Sequence, residues 1–147
     1  MKLKMLFLSL FCTAVSFAAV AAQTVPAPAP GSPAAVATEW FRAIVRGDQK
    51  TAESLTVGAN AKSEVAKGIE QMKAMKAEAQ KDPKNAILWK AFENITFGDG
   101  KVTDDRAVVY MVLHIEVNGE KLEQVNKDNP LELLKVDGKW KVNADKM

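Results

Sequence analysis

Few side chains in this sequence have the types and spacing that chemistry requires. His114 is the single histidine. Alone it is a candidate general base or pH-responsive group, but it cannot supply the histidine cluster of a zinc site. Cys12 is the single cysteine, so no disulfide is available. No serine sits in a Gly-x-Ser-x-Gly setting, and neither a phosphate-binding loop nor a dinucleotide glycine pattern occurs. Ser32 reads as a helix cap, and Ser54 and Ser63 read as helix-surface residues. Asp104-Asp105 sits beside a turn as a solvated pair, and residues 99–105 lack the alternating oxygen ligands of a calcium loop. The sequence therefore predicts no catalytic residue, no metal and no cofactor.

The first 22 residues read as an export signal rather than as part of a fold. Lys2 and Lys4 form a basic start, residues 5–17 are uncharged and mostly apolar, and Ala19-Val20-Ala21-Ala22 offers small residues for cleavage before Ala22 or Gln23. Phe11 before Cys12 is too large for a lipidation site, so a soluble exported protein, periplasmic or secreted, is expected. Its loss takes the basic residues from 20 to 18, against 18 acidic ones. A neutral mature chain with interspersed charges lacks a nucleic-acid footprint. Nothing after the signal is long and apolar enough for a membrane span. Residues 23–33 alternate Pro and Ala and are expected to form an extended spacer; residues 34–147 are expected to form one domain.

The elements that must position His114 follow from periodicity. Ser32-Pro33 opens a helix whose apolar face carries Val36, Trp40, Phe41, Ile44 and Val45. Gly47 closes it, and Asp48 caps a short second helix with Ala52 and Leu55. A longer helix over residues 61–81 buries Val65, Ile69, Met72, Met75 and Ala79, weakened at Gly68 by about 1 kcal/mol relative to Ala. Asp82-Pro83 is expected to end it. Residues 87–97 are a strand candidate stopped by Gly98-Asp99-Gly100. Residues 106–118 alternate well, with odd positions Ala107 to Val117 apolar and even positions mixed.

Two dipeptides set the registers. Asn118-Gly119 predicts a two-residue type I′ hairpin, which pairs Val117 with Glu120 and, by counting back, His114 with Glu123, Leu113 with Gln124 and Val112 with Val125. Asp137-Gly138 does the same for Lys135 with Trp140, Leu133 with Val142 and Leu131 with Ala144. Each hairpin then has one dry face and one mixed face. Helices followed by antiparallel strands predict an α+β fold with the helices on one sheet face.

This arrangement resembles the nuclear transport factor 2-like superfamily, whose cystatin-like cone is a strongly curved antiparallel sheet wrapped around N-terminal helices. Within it, the likeness is to a group of secreted bacterial domains of uncharacterised function, sometimes labelled lumazine-binding-like. The residues that carry it are Ser32-Pro33, Trp40-Phe41, Gly47-Asp48 and the run from Leu133-Leu134-Lys135-Val136 through Asp137-Gly138-Lys139-Trp140-Lys141-Val142. It covers about residues 32–142. The resemblance implies a cone; in relatives that are isomerases or dehydratases, an Asp, His or Tyr projects into it. Here the inward strand positions are apolar apart from Gln124 and the hairpin-end Glu120.

Two surfaces are therefore candidates for function. Trp40, Met72, Met75, Phe92 and Met111, with Gln124 as the polar exception and Trp89 nearby, would line an apolar pocket for a small apolar or aromatic ligand. Tyr110, Val112, His114 and Glu123 would form an outer face suited to a partner or a homodimer, with Val108 and Val125 beside them. A non-enzymatic binding or interaction domain is the expectation; an isomerase- or dehydratase-type enzyme and a homodimerising module are the alternatives.

Overall fold

The computed structural model describes residues 25–147. The expected export signal, its cleavage site and Cys12 lie outside the described residues, as do the first residues of the spacer. The element order is α1 (Pro33–Arg46), α2 (Gln49–Ser54), β1 (Thr56–Val57), α3 (Ala61–Ala79), α4 (Pro83–Glu93), β2 (Thr96–Val102), β3 (Arg106–Val117), β4 (Glu120–Val136) and β5 (Lys139–Asn143), closed by a 3₁₀ turn at Ala144–Lys146.

The helix starts follow from their caps. Ser32 Oγ accepts from the Ala35 amide at 3.2 Å, Pro33 occupies the first turn, and Gly47 ends α1 in the left-handed region at φ 74°. Asp48 accepts from the Thr51 amide at 3.1 Å and so starts α2. Asp82-Pro83 ends α3 as expected but also begins α4, because Asp82 accepts from the Lys84 amide at 2.9 Å and Pro83 fits a first helical turn. The strand expected over residues 87–97 is thus mostly helix. Its mixed alternation is the 3.6-residue repeat of Leu88 and Phe92.

The strands form one sheet in the order β1-β5-β4-β3-β2. It is mixed rather than wholly antiparallel, since the two-residue β1 pairs in parallel with β5, Thr56 opposite Val142. Both hairpin turns have positive φ at their two central residues, Asn118 (53°) with Gly119 (81°) and Asp137 (50°) with Gly138 (76°), as a type I′ turn demands. The registers match those counted from the sequence: His114 opposite Glu123, Leu113 opposite Gln124, Val112 opposite Val125, Lys135 opposite Trp140 and Leu133 opposite Val142. The pairing expected between Leu131 and Ala144 is absent, because Ala144 has entered the 3₁₀ turn.

β4 is a single strand shared by both hairpins. Met111 pairs with Asn126 but Val109 pairs with Leu131, so residues 127–130 bulge opposite Tyr110. Pro130 suits such a break, having no amide to give to the ladder. The Asp128 amide turns back to Asn126 Oδ1 at 3.0 Å. Across the bulge the inward side of β4 changes from even to odd positions, which places Leu131 and Leu133 in the core. Gly98-Asp99-Gly100, expected to be a turn, lies within β2.

The core joins Trp40, Phe41 and Ile44 of α1 to Val65, Ile69 and Met72 of α3, and to Val109, Met111, Leu133 and Val142 of the sheet. Burying each such side chain stabilises by about 1.5–3 kcal/mol. Phe41 and Phe97 meet edge to face, with centroids 6.1 Å apart. Helix α1 also covers the edge strand β2. Thr38 Oγ1 donates to the Ala34 carbonyl at 2.8 Å and accepts from the Phe97 amide at 3.0 Å, and Asp99 Oδ1 accepts from the Ala34 amide at 2.9 Å. With the Phe97 amide taken and α1 lying against it, this part of the edge is a poor template for another strand.

Candidate functional site

The residues expected to line one pocket are divided between the core and a groove. Trp40, Met72 and Met111 are buried within the packed interior. Met75 instead lines a groove of about 270 Å³ between α3 and α4, and Phe92, buried in the core, also lines it. Ala74, Met75 and Ala79 form one wall, and Leu88, Trp89 and Phe92 form the other, with Glu78 and Asn85 as its polar members. Helical spacing explains the two walls: positions 75 and 79 are one turn apart on α3, as are 88 and 92 on α4. Leu88 and Asn85 could not be placed from the sequence while residues 87–97 read as a strand; the signal was the Asp82-Pro83 pair taken as a helix start.

The groove is apolar because its polar members are engaged or peripheral. The Trp89 indole donates to Glu93 Oε1 at 2.7 Å, so the ring presents carbon to its neighbours. Glu78 pairs with Lys81 at 2.7 Å. Gln71 stands one turn before Met75 on the same face of α3. Its Oε1 is buried without a hydrogen-bond partner, an acceptor whose burial is costly until a donor reaches it.

Gln124 does not belong to this site. It is exposed, although it lies opposite Leu113 as counted. Exposure rises toward the Asn118-Gly119 turn: Leu113, Ile115 and Leu122 are half-buried and Val117 is exposed, so the hairpin tip runs past the helical layer. Alternation gave the side of the sheet but not where its cover ends.

On the other face, His114 stands where the register put it. Its Nδ1 lies 3.3 Å from Glu123 Oε1, and its Nε2 lies 2.8 Å from Thr96 Oγ1. Thr96 had no signal in the sequence while its strand was misplaced. Glu123 Oε2 also accepts from the Val25 amide. Tyr110 is half-buried and lies over Gly100, where an added Cβ would stand 2.5 Å from its Cε2. Val112, expected to be an outer contact residue, is fully buried at 0 %. Val25 comes down beside it, for a Cβ on Gly98 would stand 3.4 Å from Val25 Cγ1 and 3.6 Å from Val112 Cγ2. Part of the expected spacer therefore covers the face that was expected to be open.

Among the described residues, no three His, Cys, Asp or Glu side chains gather where they could hold a metal ion. No described helix is long and apolar enough to cross a membrane. Comparison with known proteins found no matching family model and no similar curated protein.

Proposed function

We propose that this chain is an exported, non-enzymatic binding domain with the cone-like layout of the nuclear transport factor 2-like superfamily, and that it takes a small apolar or aromatic molecule between α3 and α4. The observation that carries this reading is the groove walled by Met75, Leu88, Trp89 and Phe92. Its volume lies near the lower end of ligand pockets, which run to roughly 300–1,000 Å³, and suits a ligand of one or two rings. Methionine and aromatic carbon adapt to such a shape without demanding a particular polar pattern. The non-enzymatic element of the proposal rests on His114, which stands on the sheet face away from this groove.

The test is a titration with indole and with naphthalene, followed by amide chemical shifts. The reading expects changes concentrated in residues 71–79 and 85–92, and their loss in Leu88→Glu, which sets a charge in the groove. Changes centred on His114 would favour the enzyme alternative. No saturable change in either region up to the solubility of both probes would sink the binding proposal.

A further inference from the structure

The outer sheet face holds a seat made from three strands, and the chain's own N-terminal segment is in it. We propose that this face is a docking site for an extended proline-bearing peptide of the Val-Pro-Ala-Pro type, filled in cis by residues 25–31.

The seat has a notch, a hydrogen-bond acceptor and a far anchor. The notch is at Gly98 on β2, where Val25 packs in ordinary contact, 3.4 Å from the position a Cβ would take. Val112 of β3 forms the floor and is fully buried although it points away from the helices. The acceptor is Glu123 of β4, which takes the Val25 amide proton through Oε2. Its other oxygen lies 3.3 Å from His114 Nδ1, and His114 Nε2 lies 2.8 Å from Thr96 Oγ1. The carboxylate is therefore oriented before the peptide arrives, which spares the binding step the entropy of fixing it.

The far anchor is a turn in which the Ser32 amide returns to the Ala29 carbonyl at 3.0 Å. Pro30 and Gly31 are its central residues, and Gly31 has φ 75°, the form that a type II turn requires at that position. The turn feeds α1, whose Ala34 amide is held at 2.9 Å by Asp99, the neighbour of Gly98. One end of the segment is thus held by Glu123 of β4, and the other runs into a helix start that is held on β2. The alternating prolines in between hold an extended backbone with little entropy left to lose.

Competition in the intact chain tests the proposal. The probe is an acetylated peptide with the sequence of residues 25–31, titrated against wild type and Val25→Asp, whose native ellipticity is verified first. The variant's own segment no longer fits the notch, so the peptide should bind it roughly tenfold or more tightly than wild type, where a tethered competitor is present. Adding Glu123→Ala to Val25→Asp should remove that binding. Equal affinity for wild type and variant, or no binding to the variant, overturns the proposal. Amide exchange on wild type gives an independent reading. Val25 should be protected, and Glu123→Ala should release it. Exchange at the rate of an unstructured peptide would overturn the seat, and protection that grows with protein concentration would overturn its filling in cis.

Discussion

The Trp40 indole donates its Nε1 proton to Thr56 Oγ1 at 3.0 Å, and that hydroxyl donates onward to the Ala52 carbonyl at 2.7 Å. One buried hydroxyl thus joins α1, α2 and β1. Thr56→Val keeps the shape but leaves the indole proton without its partner, a loss of about 1–3 kcal/mol. Thr56→Ser should lose less than that, because the hydroxyl remains. Urea midpoints of the two variants check the difference, and equal losses would mean that the methyl group matters as much as the bond.

Trp140 lies on the dry face of the second hairpin at 9 % exposure, opposite Lys135, whose ammonium stands 5.3 Å from the ring centroid. Trp140→Ala should cost roughly 3–5 kcal/mol. That is a large share of the roughly 5–15 kcal/mol that holds such a domain folded. A shift below about 0.5 kcal/mol, the scale of surface changes, would contradict the burial.

Gly100→Ala should destabilise by about 1–3 kcal/mol, because the new methyl must fit where little can move. It would stand 2.5 Å from Tyr110 Cε2 and 2.8 Å from the Val108 carbonyl oxygen, and the second of these is backbone. Gly98→Ala meets only ordinary contact distances, so the fold should tolerate it better. Thermal melts of the pair measure the contrast; equal melting temperatures would show that the ring swings aside without cost.

Asp48 gives a pH signature. Hydrogen bonds from Thr51 hold its carboxyl below the ordinary value of 3.8, with smaller help from Arg46 and Lys50. A folded value below the unfolded one means that the carboxylate stabilises the fold. The contribution is fully present above the unfolded value and is lost as pH falls from there through the folded one. Asp48→Asn keeps a capping oxygen but cannot titrate, so its stability should fall less steeply over that acid range. Identical acid limbs in the two proteins would remove Asp48 from the account.

How far the sequence carries can be followed residue by residue. Two-residue turns leave no freedom in counting, so Asn118-Gly119 and Asp137-Gly138 determine their ladders to the residue. Counting fails at Asn126, where four residues loop out against Tyr110, since only a neighbouring strand defines a bulge. Asp82-Pro83 is ambiguous because the features that terminate one helix also start the next. Gly98 and Gly100 look like a turn locally but lie within β2, where at Gly100 the Tyr110 ring and the Val108 carbonyl take the space a side chain would need. Of the candidate site, Met75 and Phe92 were legible from apolar type. Leu88 and Asn85 waited on α4, and Gln124 depended on where the helical layer stops.

The parallel pairing of β1 with β5 governs the order in which the chain can complete itself. Thr56 and Val57 are too few to hold an edge alone, and they align only against Val142 and Asn143; the Val142 amide also bonds the Leu55 carbonyl at 2.8 Å. β2, β3 and β4 pair with their sequence neighbours and can form as they emerge from the ribosome, whereas β1 must wait for β5, the last of the five strands to be made. β5 acts as a keystone: without it Trp140 and Val142 would be missing from the core and Thr56 would have no strand partner. One five-residue strand therefore closes the molecule in two places at once, filling the core through Trp140 and Val142 and sealing the sheet edge against Thr56.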